Sequence, residues 1–282
     1  MMTDRKDHKL GKWEKDENFP VASFLISSHQ RPALKAFYRF ARSADDAADN
    51  PSLNSSVKLQ ILDKLEKTLL GKSDEAPDAL PLRSIFQERG LSTEHAQHLL
   101  VAFRQDVIKD RYNTWDELIN YCNYSANPVG RFILDIHGED TSSYPYSDTL
   151  CTTLQIINHL QDCKKDYFEL NRIYIPLSEF LSNGISINEL SKNESCPSLL
   201  KVFKSIIDKT INLEPNFEDF SCHVKNKRLS LEISVISKLA NRLIGTLMER
   251  DPLKDRVHLN KRESILVAVH AAYRHVTRRY FF

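Results

Sequence analysis

Glycine is scarce in this chain, with seven among 282 residues, and none falls in a GxGxxG or GxxxxGKS/T pattern. Both patterns need glycine for close backbone approach to phosphate, so a Rossmann or P-loop nucleotide site is excluded. Cysteine is sparse as well. Its five copies, an odd number with no CxxC pair, fit a reducing compartment better than a disulfide framework. Neither sign of charge dominates: 39 Lys and Arg against 38 Asp and Glu leave a formal net charge of +1. That excludes a global basic field for nucleic acid and an acidic tail. No apolar run approaches the roughly 18 residues of a membrane-spanning helix. The charged stretch from Met1 to Asp16 lacks the apolar segment of a signal peptide. Strand signals are few, and no Asn-Gly turn joins two strand-like runs.

Helix is what remains. Apolar residues make up 41% of the chain, enough for a sizeable core. They recur at three- and four-residue spacing in window after window. The pattern predicts helices over 21–28, 31–49, 55–70, 83–88, 93–109, 114–138, 147–167, 177–182, 186–192, 196–213, 224–250 and 261–279. Breaks are expected at Asn50-Pro51, Gly71–Glu75, Pro77, Pro81, Gly138–Pro145, Pro176, Asn183-Gly184, Pro197, Pro215 and Pro252. No internal repeat or linker divides the chain. The expected fold class is all-α: one domain over 17–282, preceded by a flexible lead at 1–16.

The most informative stretch runs from Phe37 to Asp49. On a helix, Tyr38, Arg42, Asp45 and Asp49 fall within an arc of about 60°. Phe37, Phe40, Ala41, Ala44 and Ala48 form an adjoining apolar face. Asp45 and Asp49 are like-charged i,i+4 neighbours, which destabilises a bare helix. A hard divalent cation such as Mg²⁺ turns that repulsion into coordination. A lone DDxxD is more often a solvated acidic face with Arg42–Asp45 and Arg42–Asp46 pairs. A second cluster changes the balance. Within 147–168, where Ser147 or Asp148 is the expected cap, Leu150, Leu154, Ile157 and Leu160 line one side. Gln155, Asn158, Asp162 and Asp166 share an arc of about 80° on the other. If the two helices face each other, four or five carboxylates converge on one cavity. Such a cavity is repulsive without metal and suited to a diphosphate held between Mg²⁺ ions.

These residues stand in a recognisable order. Tyr38 and Arg42 lead into Asp45, Asp46 and Asp49. Gln155, Asn158, Asp162 and Asp166 follow, and then Arg172-Ile-Tyr-Ile-Pro176. Asp106, Arg111, Tyr112, Glu117-Leu118 and Tyr121-Cys122 lie between. In this the chain resembles the squalene/phytoene synthase family of all-α isoprenoid synthases, over about residues 17–280. Glu17-Asn-Phe-Pro20, Ala41–Asp49 and Tyr124–Arg131 are worded most like the family branch that acts on presqualene diphosphate. Three departures stand out. Pro20 replaces a usual His, Gln161 a usual Arg, and Asn171 a usual Gly. The first two favour that branch over the condensing members.

The resemblance implies a helical bundle around a central cavity. It also implies Mg²⁺-dependent conversion of presqualene diphosphate to hydroxysqualene with release of diphosphate. Two or three Mg²⁺ ions would be held by Asp45, Asp46, Asp49, Asn158, Asp162 and Asp166, with no nicotinamide cofactor. Tyr38, Arg42, Tyr112 and Arg172 form the expected catalytic set. Asn18, Arg42, Arg111, Gln155, Arg172, Tyr174, Tyr121, Ser125 and Val129 are the expected diphosphate and substrate contacts. Phe24, Phe37, Leu118, Phe132 and Ile133 are apolar lining candidates and equally good core residues. The main alternative is head-to-head condensation of two farnesyl diphosphates. A lesser one is a non-catalytic assembly factor of the same fold. The implied partners are a prenyl diphosphate, a presqualene diphosphate synthase upstream and a reductase downstream, with no nucleic acid. A cytoplasmic location is expected, with at most peripheral contact at the inner membrane surface. His137 and His159 belong to no zinc pattern and read as packing or capping residues. Cys122 and Cys163 read as small apolar spacers. The basic end from Arg274 to Phe282 reads best as a solvated last helical turn.

Overall fold

The computed structural model describes residues 27–281, with side chains as far as Thr277. The lead at 1–16, Asn18, Phe24 and most of the expected 21–28 helix lie outside the described residues. Eleven α-helices longer than one turn organise the described residues: α1 (Arg31–Ala48), α2 (Ser55–Leu69), α3 (Leu80–Arg89), α4 (Glu94–Ile108), α5 (Trp115–Ser125), α6 (Asn127–Ile136), α7 (Tyr144–Gln161), α8 (Leu177–Ser182), α9 (Pro197–Ile211), α10 (Lys227–Glu249) and α11 (Lys261–Phe281). Among the described residues the only ladder-type pairing outside helices is an isolated parallel bridge between Arg111 and Ile173.

Local chemistry explains the starts. Asn54 caps α2 by accepting from the Val57 amide at 3.0 Å. Thr114 does the same for α5 through the Glu117 amide at 3.3 Å. Prolines sit in the first turn of α1, α3, α6, α7 and α9, where a missing N–H costs nothing. Pro81 and Pro145, expected as breaks, therefore open helices. Ser147, expected as a cap, is buried inside α7.

Two expected long helices are divided. The 114–138 stretch breaks at Ala126 (φ −116°, ψ −50°), because Pro128 cannot continue the α5 ladder and instead starts α6. The 147–167 stretch ends at Gln161. A single turn follows at Cys163–Lys165, then a wide π-type turn at Asp166–Leu170. The spacing that matters survives. The Asp162 amide donates to the Asn158 carbonyl at 2.9 Å and the Asp166 amide to the Asp162 carbonyl at 2.8 Å, so Asp162 and Asp166 stay one turn apart.

The larger core gathers α5, α7, α9 and α10, and the smaller one gathers α1 to α4. Phe37 and Phe132 stack face to face in the smaller core, with centroids 4.1 Å apart, so both serve as packing. α6 lies hard against α7 at Gly130. A Cβ there would meet Ser147 Oγ at 2.2 Å and Cys151 Sγ at 2.6 Å, so only glycine fits.

After the wide turn, Asn171 adopts the left-handed conformation (φ 50°). Asparagine is among the few non-glycine residues that tolerate it. This accounts for the Asn where the family usually has Gly. The chain then runs alongside 110–113. The Ile173 amide donates to the Asp110 carbonyl at 2.9 Å and the Leu177 amide to the Tyr112 carbonyl at 2.8 Å. That pairing brings the Arg172–Pro176 segment beside the Arg111-Tyr112 dipeptide.

Candidate active site

The end of α1 carries the first acidic group. Arg42 donates to Asp45 Oδ2 at 2.7 Å and pairs with Asp46 Oδ1 at 2.8 Å. These are the pairs a solvated acidic face would make, yet Asp45 is not in an ordinary surface setting. Burial, then repulsion from Asp49, push its carboxyl up to about 6, against the pull of Arg42 and Arg172. Asp46 is exposed.

Arg172 is the hub. Its side chain is 6% exposed and pairs with Asp49 Oδ1 at 3.0 Å. The same guanidinium donates to the Asp106 backbone carbonyl at 2.9 Å and to the Tyr174 hydroxyl at 2.9 Å. Its Nε lies 3.7 Å from Asp106 Oδ1. Asp106 also accepts from the Tyr121 hydroxyl at 2.9 Å and the Tyr174 hydroxyl at 3.2 Å. Burial raises the Asp106 carboxyl to about 7 although Arg172 opposes the rise. The rings of Tyr112, Tyr121 and Tyr174 pack with centroids 5.2–5.5 Å apart. Burial holds all three phenols above their ordinary range, so they remain neutral.

The second acidic group approaches the same hub. Burial first, then the Asp162 charge, push Asp166 up to about 7, and Asp49 adds to the rise while Arg172 opposes it. Arg172 and Asp49 thus act on carboxylates of both groups. A cleft of about 360 Å³ opens on Asp49, Asp106 and Arg172, with Lys58 and Lys109 also lining it.

The carboxylate oxygens of this donor set are of the kind that suits Mg²⁺. Among the described residues no three His, Cys, Asp or Glu side chains gather closely enough to cage a metal ion unaided.

Other expected residues are placed as follows. Tyr38 is half-buried on α1, one turn before Arg42. Arg111 donates to the Asn171 backbone carbonyl and, at 2.8 Å, to its side-chain oxygen, holding the left-handed turn before Arg172. Gln155 donates to His159 Nε2 at 3.2 Å, and Asn158 is half-buried one turn before Asp162. Ser125 is half-buried at the end of α5, whereas Val129 lies exposed on α6. Gln161 donates to the Val257 carbonyl, tying the end of α7 to the loop before α11.

Both histidines meet their expectation. His137 Nδ1 lies 2.7 Å from the Ile133 carbonyl at the end of α6. His159 stacks on Tyr174 at 3.6 Å, and burial lowers it to about 3, so it stays neutral. Cys122 and Cys163 are buried thiols, pushed up by burial. Two contributions escaped sequence reasoning. Asp106 was visible in a motif, but only its proximity to Arg172 and two tyrosines makes it central. Lys58 belongs to no motif. Its Nζ donates to the Ala48 carbonyl at 2.7 Å, at the C-terminal end of α1.

An all-α bundle with two acidic groups about a buried arginine defines an isoprenoid-synthase type of protein. The fold is shared with a dehydrosqualene synthase, at TM-score 0.79 and 18% identity over 94% of both chains. It is shared also with squalene synthase HpnC from Alicyclobacillus acidocaldarius, at TM-score 0.73 and 27% identity, covering 84% of this chain and 89% of that one. The chain belongs to the squalene/phytoene synthase family, whose model matches residues 14–263. It is an enzyme of that family, whose members act on prenyl diphosphates. Among its relatives, the hydroxysqualene synthase of Rhodopseudomonas palustris is 45% identical over 99% of this chain and 96% of that protein. That of Zymomonas mobilis is 45% identical over 93% of this chain and 89% of its own length.

Proposed function

We propose that this enzyme converts presqualene diphosphate and water to hydroxysqualene and diphosphate. The observation that carries the proposal is the placement of Arg172, a buried guanidinium anchored on Asp49 and Asp106 and acting on carboxylates of both acidic groups. The near full-length likeness to proteins named hydroxysqualene synthase supports the choice of substrate.

Asp45, Asp49, Asp162 and Asp166 would hold the Mg²⁺ ions, with Asp46 and Asn158 completing the set. When bound, Mg²⁺ supplies charge neutralisation for the departing diphosphate. Arg172 offers it fixed N–H donors. Arg42, beside Asp45 and Asp46 on α1, would offer a second fork. Tyr38 adds a hydroxyl from the same helix face. Arg111 acts by holding the turn that aims Arg172. Tyr121 and Tyr174 orient Asp106, and through it the guanidinium. Tyr112 packs against the rings of both.

Gln161 stands where condensing relatives place Arg, and its amide is engaged with the Val257 carbonyl. This supports a site built for one diphosphate. The test is purified protein with Mg²⁺ and no nicotinamide, given either presqualene diphosphate or farnesyl diphosphate. Hydroxysqualene and free diphosphate are expected from the first and no C30 product from the second. Efficient C30 formation from farnesyl diphosphate would replace the proposal with condensation. Turnover of neither by folded protein would point to an assembly factor.

A further inference from the structure

The C-terminal helix α11 is seated the wrong way round for a core helix. It rests on α10 through small or polar side chains. Ala271 is buried, and His275 Nε2 lies 3.4 Å from Ser230 Oγ. Its large apolar residues Ile265, Leu266, Val269, Tyr273 and Val276 point to solvent, from 44% exposed (Val276) to 70% exposed (Leu266). Their three- and four-residue spacing places them in one stripe within an arc of about 100°. Among the described residues, no helix is long and apolar enough to cross a membrane. A contiguous apolar stripe of this kind marks an interaction surface.

Charge selects the occupant. Lys261, Arg262 and Arg274 are exposed on the same helix, and Arg278 and Arg279 follow in sequence, against a single acid, Glu263. Two copies of such a face repel each other, whereas anionic headgroups complement it. We propose that α11 docks this enzyme on anionic bilayers, lying along the interface with its Ile265–Val276 stripe in the acyl boundary and its basic residues among the headgroups. An apolar face flanked by Lys and Arg is the composition of an interfacial helix. The proposal does not depend on which prenyl diphosphate is turned over.

The test is co-sedimentation of the full chain with phosphatidylcholine vesicles, with and without phosphatidylglycerol. Binding is expected only with phosphatidylglycerol, and it falls as salt rises. Arg262→Gln/Arg274→Gln is expected to weaken binding about 30-fold, from the usual contribution of two basic residues at an anionic surface. Ile265→Ser/Val269→Ser/Tyr273→Ser removes it, while Leu181→Ser, an exposed leucine on α8, does not. Should the triple variant misfold, Tyr273→Trp provides a separate readout. The emission it adds over wild type shifts to the blue on phosphatidylglycerol vesicles and is quenched by brominated acyl chains. Salt-independent binding or equal binding to phosphatidylcholine alone overturns the proposal. So does added emission from the Tyr273→Trp variant that stays unshifted on anionic vesicles. Dimerisation of the wild type that the triple variant abolishes also overturns it and would give the face to a second copy.

Discussion

Asp45→Asn removes one charge from the first acidic group and leaves the side-chain shape almost unchanged. In the folded protein the Asp45 carboxyl rises from 3.8 to about 6, chiefly through burial and then through Asp49. Taken whole, that rise corresponds to about 3 kcal/mol against the ionised form. The side chain is 36% exposed, so solvent screening leaves on the order of 1 kcal/mol. The lost pair with Arg42 offsets a few tenths of that. The folded-state pKa lies above the unfolded one, so the folded protein binds the proton more tightly. Wild-type stability therefore falls as pH rises from about 4 to about 6, and the Asn variant escapes this contribution. At pH 8 without divalent metal, Asp45→Asn should melt about 1–2 °C above wild type. Near pH 4 the difference should vanish, because Asp45 is then protonated. Adding Mg²⁺ with diphosphate should reverse the order, since the carboxylate has become a ligand, and turnover should drop on the order of 100-fold. Thermal melts at the two pH values, with chelator and then with Mg²⁺, read every sign. A variant less stable than wild type at pH 8 in chelator would refute the reasoning, as would an offset independent of pH.

Three further outcomes follow from the hub and its scaffold. Arg172→Gln leaves Asp49 and the buried Asp106 without their guanidinium, which should cost about 3–5 kcal/mol in urea unfolding; wild-type stability would contradict the burial argument. Tyr174→Phe deletes the hydroxyl that links Arg172 to Asp106 and should cost about 1–3 kcal/mol by the same measurement, with the ring packing kept. Gly130→Ala forces a methyl against Ser147 and Cys151 and should lower stability by about 1–3 kcal/mol; an unchanged melting temperature would mean that α6 and α7 are less closely packed.

Much of the first acidic group was legible in sequence because it is local. A helix of fixed pitch places Tyr38, Arg42, Asp45 and Asp49 on one face whatever lies around them. The same holds for Asp162 and Asp166, whose one-turn relation survives the end of α7 because the backbone bonds from Asn158 to Asp162 to Asp166 continue. The ends of these helices were less legible. Proline reads alike as a terminator and as a first-turn residue, and Pro128 and Pro145 took the second role. Tertiary structure decided the rest. Asp49 and Arg172 are 123 residues apart, and no periodicity reports their ion pair. Asp106 stands in a motif, but its raised pKa exists only because folding buries it among Arg172, Tyr121 and Tyr174. The apolar spacing of α11 reads like that of any core-facing helix. Only its seating on α10 through Ala271 and His275 turns that stripe toward solvent. Local geometry follows from covalent pitch and can be read along the chain, whereas burial and charge environment are properties of the neighbours that folding supplies.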